Sequence, residues 1–152
     1  MYHPDPMSLA LHPTLARDTV EVVRFPLCRV LLMNDQRFPW LILVPQREGA
    51  REIHELAAAD RAALIEEVAR VSEAMARLFR PDKMNVGALG NVVPQLHVHV
   101  VARFASDPAW PGPVWGSGPP VPYGEEELES LLVQLNDSLG PSDFHSGILE
   151  AD

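Results

Sequence analysis

From Asp60 to Phe79 the apolar residues Leu64, Val68, Val71, Met75 and Leu78 recur at alternating steps of four and three. That is the period of an amphipathic helix. Asp60 favours its start, through the helix dipole or as a cap, and Pro81 stops it. The segments on either side have a different character. Val20 to Phe25 and Arg29 to Met33 read as strands separated by Pro26, and Trp40-Leu41-Ile42-Leu43-Val44 is an apolar run of strand length ended by Pro45. Asn34 to Arg37 supplies turn chemistry between the last two. Met84 to Ala88 is a shorter strand candidate, and Gly90-Asn91 turns the chain into a further strand, Gln95 to Ala102. A long helix set between three strands and a hairpin makes the expected fold α+β, with an antiparallel sheet of about five strands.

Both ends differ from this middle. Residues 1–13 contain three prolines and read as an arm, followed by a short helical turn over Thr14 to Asp18. Asp107 to Gly124 holds six prolines and four glycines, which excludes regular structure. Trp110, Trp115 and Tyr123 lie within it, and large apolar rings imply that this segment docks on a surface. Glu125 to Leu139 reads as a C-terminal helix, with acidic residues at its start, Leu128, Leu131, Leu132 and Leu135 on one face, and Gly140-Pro141 as its stop. The last dozen residues are expected to be loosely held.

The 152 residues suffice for one domain that buries roughly 68–70% of its unfolded surface. Trp40 to Val44, the longest strongly apolar stretch, is far short of the ~20 residues of a membrane span. No secretory signal is visible at the N-terminus, so a cytoplasmic location is expected. Cys28 is the single cysteine, which excludes an internal disulfide, and it reads as a small residue packed in a strand. A net charge of −9 argues against an extended nucleic-acid surface but leaves room for a small anion held by a few donors. Arg47, Lys83 and Arg103 lie on segments that flank the strands and are candidates for that task.

The chemistry concentrates in Pro94-Gln95-Leu96-His97-Val98-His99-Val100-Val101. Strand alternation puts Gln95, His97 and His99 on one side, with the two histidines about 6.6 Å apart along the strand. Both imidazoles then address one phosphoryl group or one metal. The turn Gly90 to Pro94 can aim backbone amides at the same space. One imidazole can attack phosphorus while the other donates to a non-bridging oxygen, provided the attacking ring is neutral and its second nitrogen donates to a fixed acceptor such as a backbone carbonyl. Asn34, at a strand end, is either a turn residue or a side chain that orients a ribose or phosphate. His3, His12, His54 and His145 read as structural or surface residues, and Glu125 to Glu127 as a solvated helix start.

Over roughly residues 18 to 116 the chain resembles the histidine triad (HIT) family of nucleotide hydrolases and transferases. The family pattern His-φ-His-φ-His-φ-φ, with φ apolar, is matched at its second and third histidines by His97 and His99. The resemblance implies a HIT-like domain over 14–116, between the arm and a C-terminal part over 117–152. It implies that His97 forms a nucleotidyl-histidine intermediate, that His99 helps to hold the phosphate, and that Asn34 contacts the nucleotide. It places Asn91 in the phosphate-facing turn, with Asn85 as a competing candidate. It also implies a homodimer in which two sheets join, a step for which an unpaired sheet edge gives a physical motive. The chain departs from the pattern at Gln95, which stands where the first triad histidine would be, and at Trp40, where many members carry another histidine. Gln95 can still orient His97 through its backbone carbonyl, and Trp40 reads as a core strand residue.

The leading expectation is cleavage of a phosphoramidate, phosphoanhydride or phosphoester of a nucleoside phosphate, with no metal or other cofactor and no membrane partner. Two other readings stay open. One is a nucleotide-binding or interaction module with Gln95 as the mark of weak catalysis. The other is a metalloenzyme with zinc or ferrous iron on His97 and His99, which needs a third ligand that the sequence does not assign.

Overall fold

The run Trp40 to Val44 is apolar at every position because the strand it forms is covered on both faces. In the computed structural model, which describes residues 9–140, that strand, β3 (Trp40–Pro45), is the centre of a five-stranded antiparallel sheet. The others are β1 (Thr19–Arg24), β2 (Cys28–Met33), β4 (Lys83–Gly87) and β5 (Val98–Arg103), in the order β1-β2-β3-β5-β4. Leu41 and Leu43 point to one face with Val30, Leu32, Val98 and Val100. Trp40, Ile42 and Val44 point to the other with Leu31 and Val101. Strand alternation thus feeds two apolar layers from one sheet.

The first layer is closed by the long helix α2 (Ala58–Phe79), which buries Leu64, Val68, Val71 and Met75, and by α3 (Glu125–Leu139), which buries Leu135 and Leu139. An irregularity between Glu21 and Val23 in the β1–β2 pairing lets the adjacent Val22 and Val23 both enter this layer. Asn136 of α3 donates to the carbonyl of Val22, fixing the helix along β1 (3.0 Å). The second layer has no long helix. It is covered by Leu15 of the short helix α1 (Pro13–Asp18) and by Phe38, Val93 and Val114 from irregular segments.

Where structure and expectation differ, tertiary contacts decide. Helix α2 starts at Ala58, with Ala57 as its N-cap, so Asp60 lies in the first turn and binds Arg47 at 2.7 Å instead of capping. The strand expected over Gln95 to Ala102 begins only at Val98. Before it, the amide of Leu96 turns to the carbonyl of Ala50 (3.0 Å), outside the sheet ladder, so simple alternation does not govern Gln95 and His97. Met84 to Ala88 appears as β4 shifted by one residue, and α3 matches the expected helix. Residues 107–124 carry no helix or strand, as their composition dictates. The last dozen residues, together with His3 and His145, lie outside the described residues. Among those described, no helix is long and apolar enough to cross a membrane.

Candidate active site

The thin second layer leaves a cleft of about 590 Å³ at the end of the sheet, into which His97 and His99 both face. The two are largely buried, each 6% exposed, with ring centroids 4.8 Å apart. Their Nδ1 atoms have opposite partners. His97 Nδ1 lies 2.7 Å from the carbonyl oxygen of Gln95. A carbonyl only accepts, so this nitrogen carries a proton, and in the neutral ring Nε2 keeps its lone pair. The indole Nε1–H of Trp40 donates to His99 Nδ1 at 3.0 Å. An indole only donates, so the neutral ring of His99 carries its proton on Nε2. Burial, reinforced by the neighbouring His97, pushes the pKa of His99 down to about 4, which keeps it neutral at physiological pH. Neighbouring imidazoles are therefore set up differently, one with a free lone pair and one with a free N–H.

The register supplies this arrangement. Ile42 pairs with His99 and Trp40 with Val101, so Trp40 is the diagonal neighbour of His99 on the same face of β3 and β5. On the other side, Gly87 pairs with His99, and a side chain at Gly87 would meet the Trp115 ring at 3.2 Å. The bare backbone there admits the indole of Trp115, whose ring stands edge-on to His99 at 5.3 Å. Trp115 Nε1 is buried without a hydrogen-bond partner among the described residues. Docking of the Pro/Gly segment is thus real at Trp115, whereas Trp110 stays 38% exposed beside Arg103.

The remaining candidates separate. Asn34 and Asn91 line the cleft. Asn34 also pins the docked segment, because its Oδ1 accepts from the amide of Tyr123 at 2.9 Å. Asn91 follows Gly90, whose φ of +72° makes the turn at the rim one that favours glycine. Asn85 does not line the cleft, and its Oδ1 accepts from Arg103 at 2.9 Å. The side chain of Gln95 turns away from the histidines to the N-terminal arm, accepting from the amide of His12 and donating to the carbonyl of Ala10. Arg47 and Arg103 are engaged by Asp60 and Asp107, and neither they nor Lys83 line the cleft. The cations at the cleft are Arg17 and Arg37, which the sequence reading did not single out. Arg37 is held by the buried Asp35 at 2.8 Å, while the exposed Arg17 pairs with Asp18, which also lines the cleft. Among the described residues no group of three histidine, cysteine, aspartate or glutamate side chains could hold a metal ion.

The HIT domain family model matches residues 15–106, and the chain belongs to the histidine triad family. A histidine triad protein of Marinobacter aquaeolei VT8 is 53% identical, with a TM-score of 0.84 over 86% of this chain and 96% of that one. One from Sinorhizobium meliloti 1021 is 44% identical, with a TM-score of 0.85 over 89% of this chain and 100% of that one. A hypothetical histidine triad nucleotide-binding protein of Sulfolobus tokodaii strain7, 18% identical, shares the fold with a TM-score of 0.61 over 79% of this chain and 83% of that one. A comparison with curated proteins gives no match.

Proposed function

We propose that this protein binds a nucleoside phosphate in the cleft and cleaves it through a covalent adduct on His97. The observation that carries this reading is the pair of opposed Nδ1 partners, a carbonyl on His97 and an indole N–H on His99. The lone pair of His97 Nε2 attacks phosphorus, and the bond from phosphorus to the leaving oxygen or nitrogen breaks, its electron pair going to the leaving group. The leaving group then takes up a proton. The phosphorylated ring is a cation whose Nδ1–H stays on the Gln95 carbonyl, which stabilises it. His99 donates its Nε2–H to a non-bridging oxygen. Water, or another acceptor in a transferase, then attacks phosphorus and gives up its proton to solvent, which replaces the one taken up by the leaving group, and the bonding pair returns to His97 Nε2. Asn34 and Asn91 hold the ribose and phosphate oxygens, and Trp115 covers the histidines.

The test is capture of the adduct. Mixing the protein with a labelled nucleoside phosphoramidate and quenching in alkali should leave label on the peptide carrying His97. His97→Ala should lose both the label and turnover while keeping its fold. His99→Ala should slow labelling by about 10²–10³, the scale of losing one preorganised donor. Reversible binding without any label would leave the protein as a nucleotide-binding module. Normal turnover by His97→Ala would overturn the reading.

A further inference from the structure

We propose that Gln95 is a positioning residue whose side-chain amide fastens the N-terminal arm that leads into α1 and so sets ligand affinity, while its main chain separately holds His97. The proposal rests on reading the cleft as a nucleotide site. Both polar ends of the amide are used, and both on the arm. Oε1 accepts from the amide of His12 at 2.8 Å, and Nε2 donates to the carbonyl of Ala10 at 3.1 Å. A primary amide offers a donor and an acceptor side by side, matching an N–H and a carbonyl two residues apart. A neutral imidazole offers its single donor and single acceptor from different edges of the ring. Glutamine therefore suits a contact that a histidine at this position would serve poorly.

The consequence reaches the cleft through α1. His12, held by Gln95, turns its own Nδ1 onto the amide of Thr14 at 3.1 Å and so caps α1. From there Leu15 packs into the layer that contains Trp40, and Arg17 reaches the cleft. At its end the Asp18 carbonyl accepts from the amide of Asn34 at 3.0 Å. The side chain of Gln95 thus governs the element that presents Arg17 and abuts Asn34, and its carbonyl governs the tautomer of His97. The two tasks are separable by mutation, since removing the side chain leaves the carbonyl in place.

The experiment measures AMP affinity by calorimetry, and the rate of His97 labelling at saturating phosphoramidate, for wild type, Gln95→Ala, Arg17→Ala and the double variant. Gln95→Ala should weaken AMP binding about tenfold, as expected for two neutral hydrogen bonds. The double variant should bind no more weakly than the worse single variant, because both changes remove one contact. Gln95→Glu, which keeps the acceptor for His12 but sets an oxygen against the Ala10 carbonyl, should fall between wild type and Gln95→Ala, and it serves should the alanine variant fold poorly. Multiplying defects in the double variant, or a fall in labelling rate with AMP affinity intact, would overturn the proposal alone. A wild-type protein that neither binds AMP nor forms the adduct would overturn the nucleotide reading and this proposal with it.

Discussion

Trp40 shows how one residue fixes the state of another. Its indole has a hydrogen to give and no lone pair to receive one, so His99 meets a permanent donor and is held as the Nε2–H tautomer. Nitrogen-detected NMR should place the His99 proton on Nε2 and find the ring titrating near a pKa of about 4 instead of the usual 6.5. Because the folded-state pKa lies below the unfolded one, the folded state binds fewer protons in that window. Stability therefore falls as pH drops from 6.5 towards 4, by up to about 3 kcal/mol from this group. Trp40→Phe keeps an aromatic ring and removes the donor. It should mix the two tautomers of His99 and slow labelling of His97 about tenfold, and an unchanged tautomer would contradict this account. The burial of Trp40 was legible in its apolar run. Its bond to His99 was not, because the β3–β5 pairing joins segments far apart in sequence and no local pattern encodes that register.

At the scale of elements, the Pro/Gly segment covers the site because its first residue is anchored. Asp107 accepts from Arg103 at 2.8 Å and from the amides of Phe104, Ala109 and Trp110, closing the turn at the end of β5. Arg103 and Asp107 are 1% and 4% exposed, and Asn85 of β4 holds the other side of the guanidinium. Removing one partner strands a buried charge. Asp107→Ala should cost about 3–5 kcal/mol in denaturant unfolding, and a loss under about 1 kcal/mol would show the pair to be unimportant. The Arg103 hydrogen bond holds the Asp107 carboxyl down to about 2. Its contribution is therefore complete above the ordinary aspartate pKa of about 3.9 and disappears as pH falls through 2. In the sequence Arg103 looked like a donor for an anionic substrate and Asn85 like a candidate for the phosphate turn. The structure joins them to each other, because β4 and β5 lie side by side and the charge of Arg103, buried under the segment, needs partners on every side.

For the whole molecule, the sheet leaves β4 as an edge strand. Val86 on it is 51% exposed, and Leu89 and Val92 in the turn that follows are 43% and 84% exposed at the cleft. We propose that pairing of two such edges forms the homodimer that the family resemblance implies. Light scattering at micromolar concentration should report twice the chain mass, Val86→Lys should shift it towards one, and a wild-type monomer would end the proposal. The α+β class, the five strands, both long helices and the two histidines were determined by the sequence itself, because periodicity and proline or glycine stops act over a few residues. Tertiary structure decided the rest. It started β5 after His97, turned the two ends of Gln95 to different tasks, brought Arg17 to the cleft in place of Arg47 and Arg103, and gave the histidines opposite tautomers. Each of those outcomes depends on which distant group faces a given polar atom, and hydrogen-bond partners are settled only when strands take their register and loops dock.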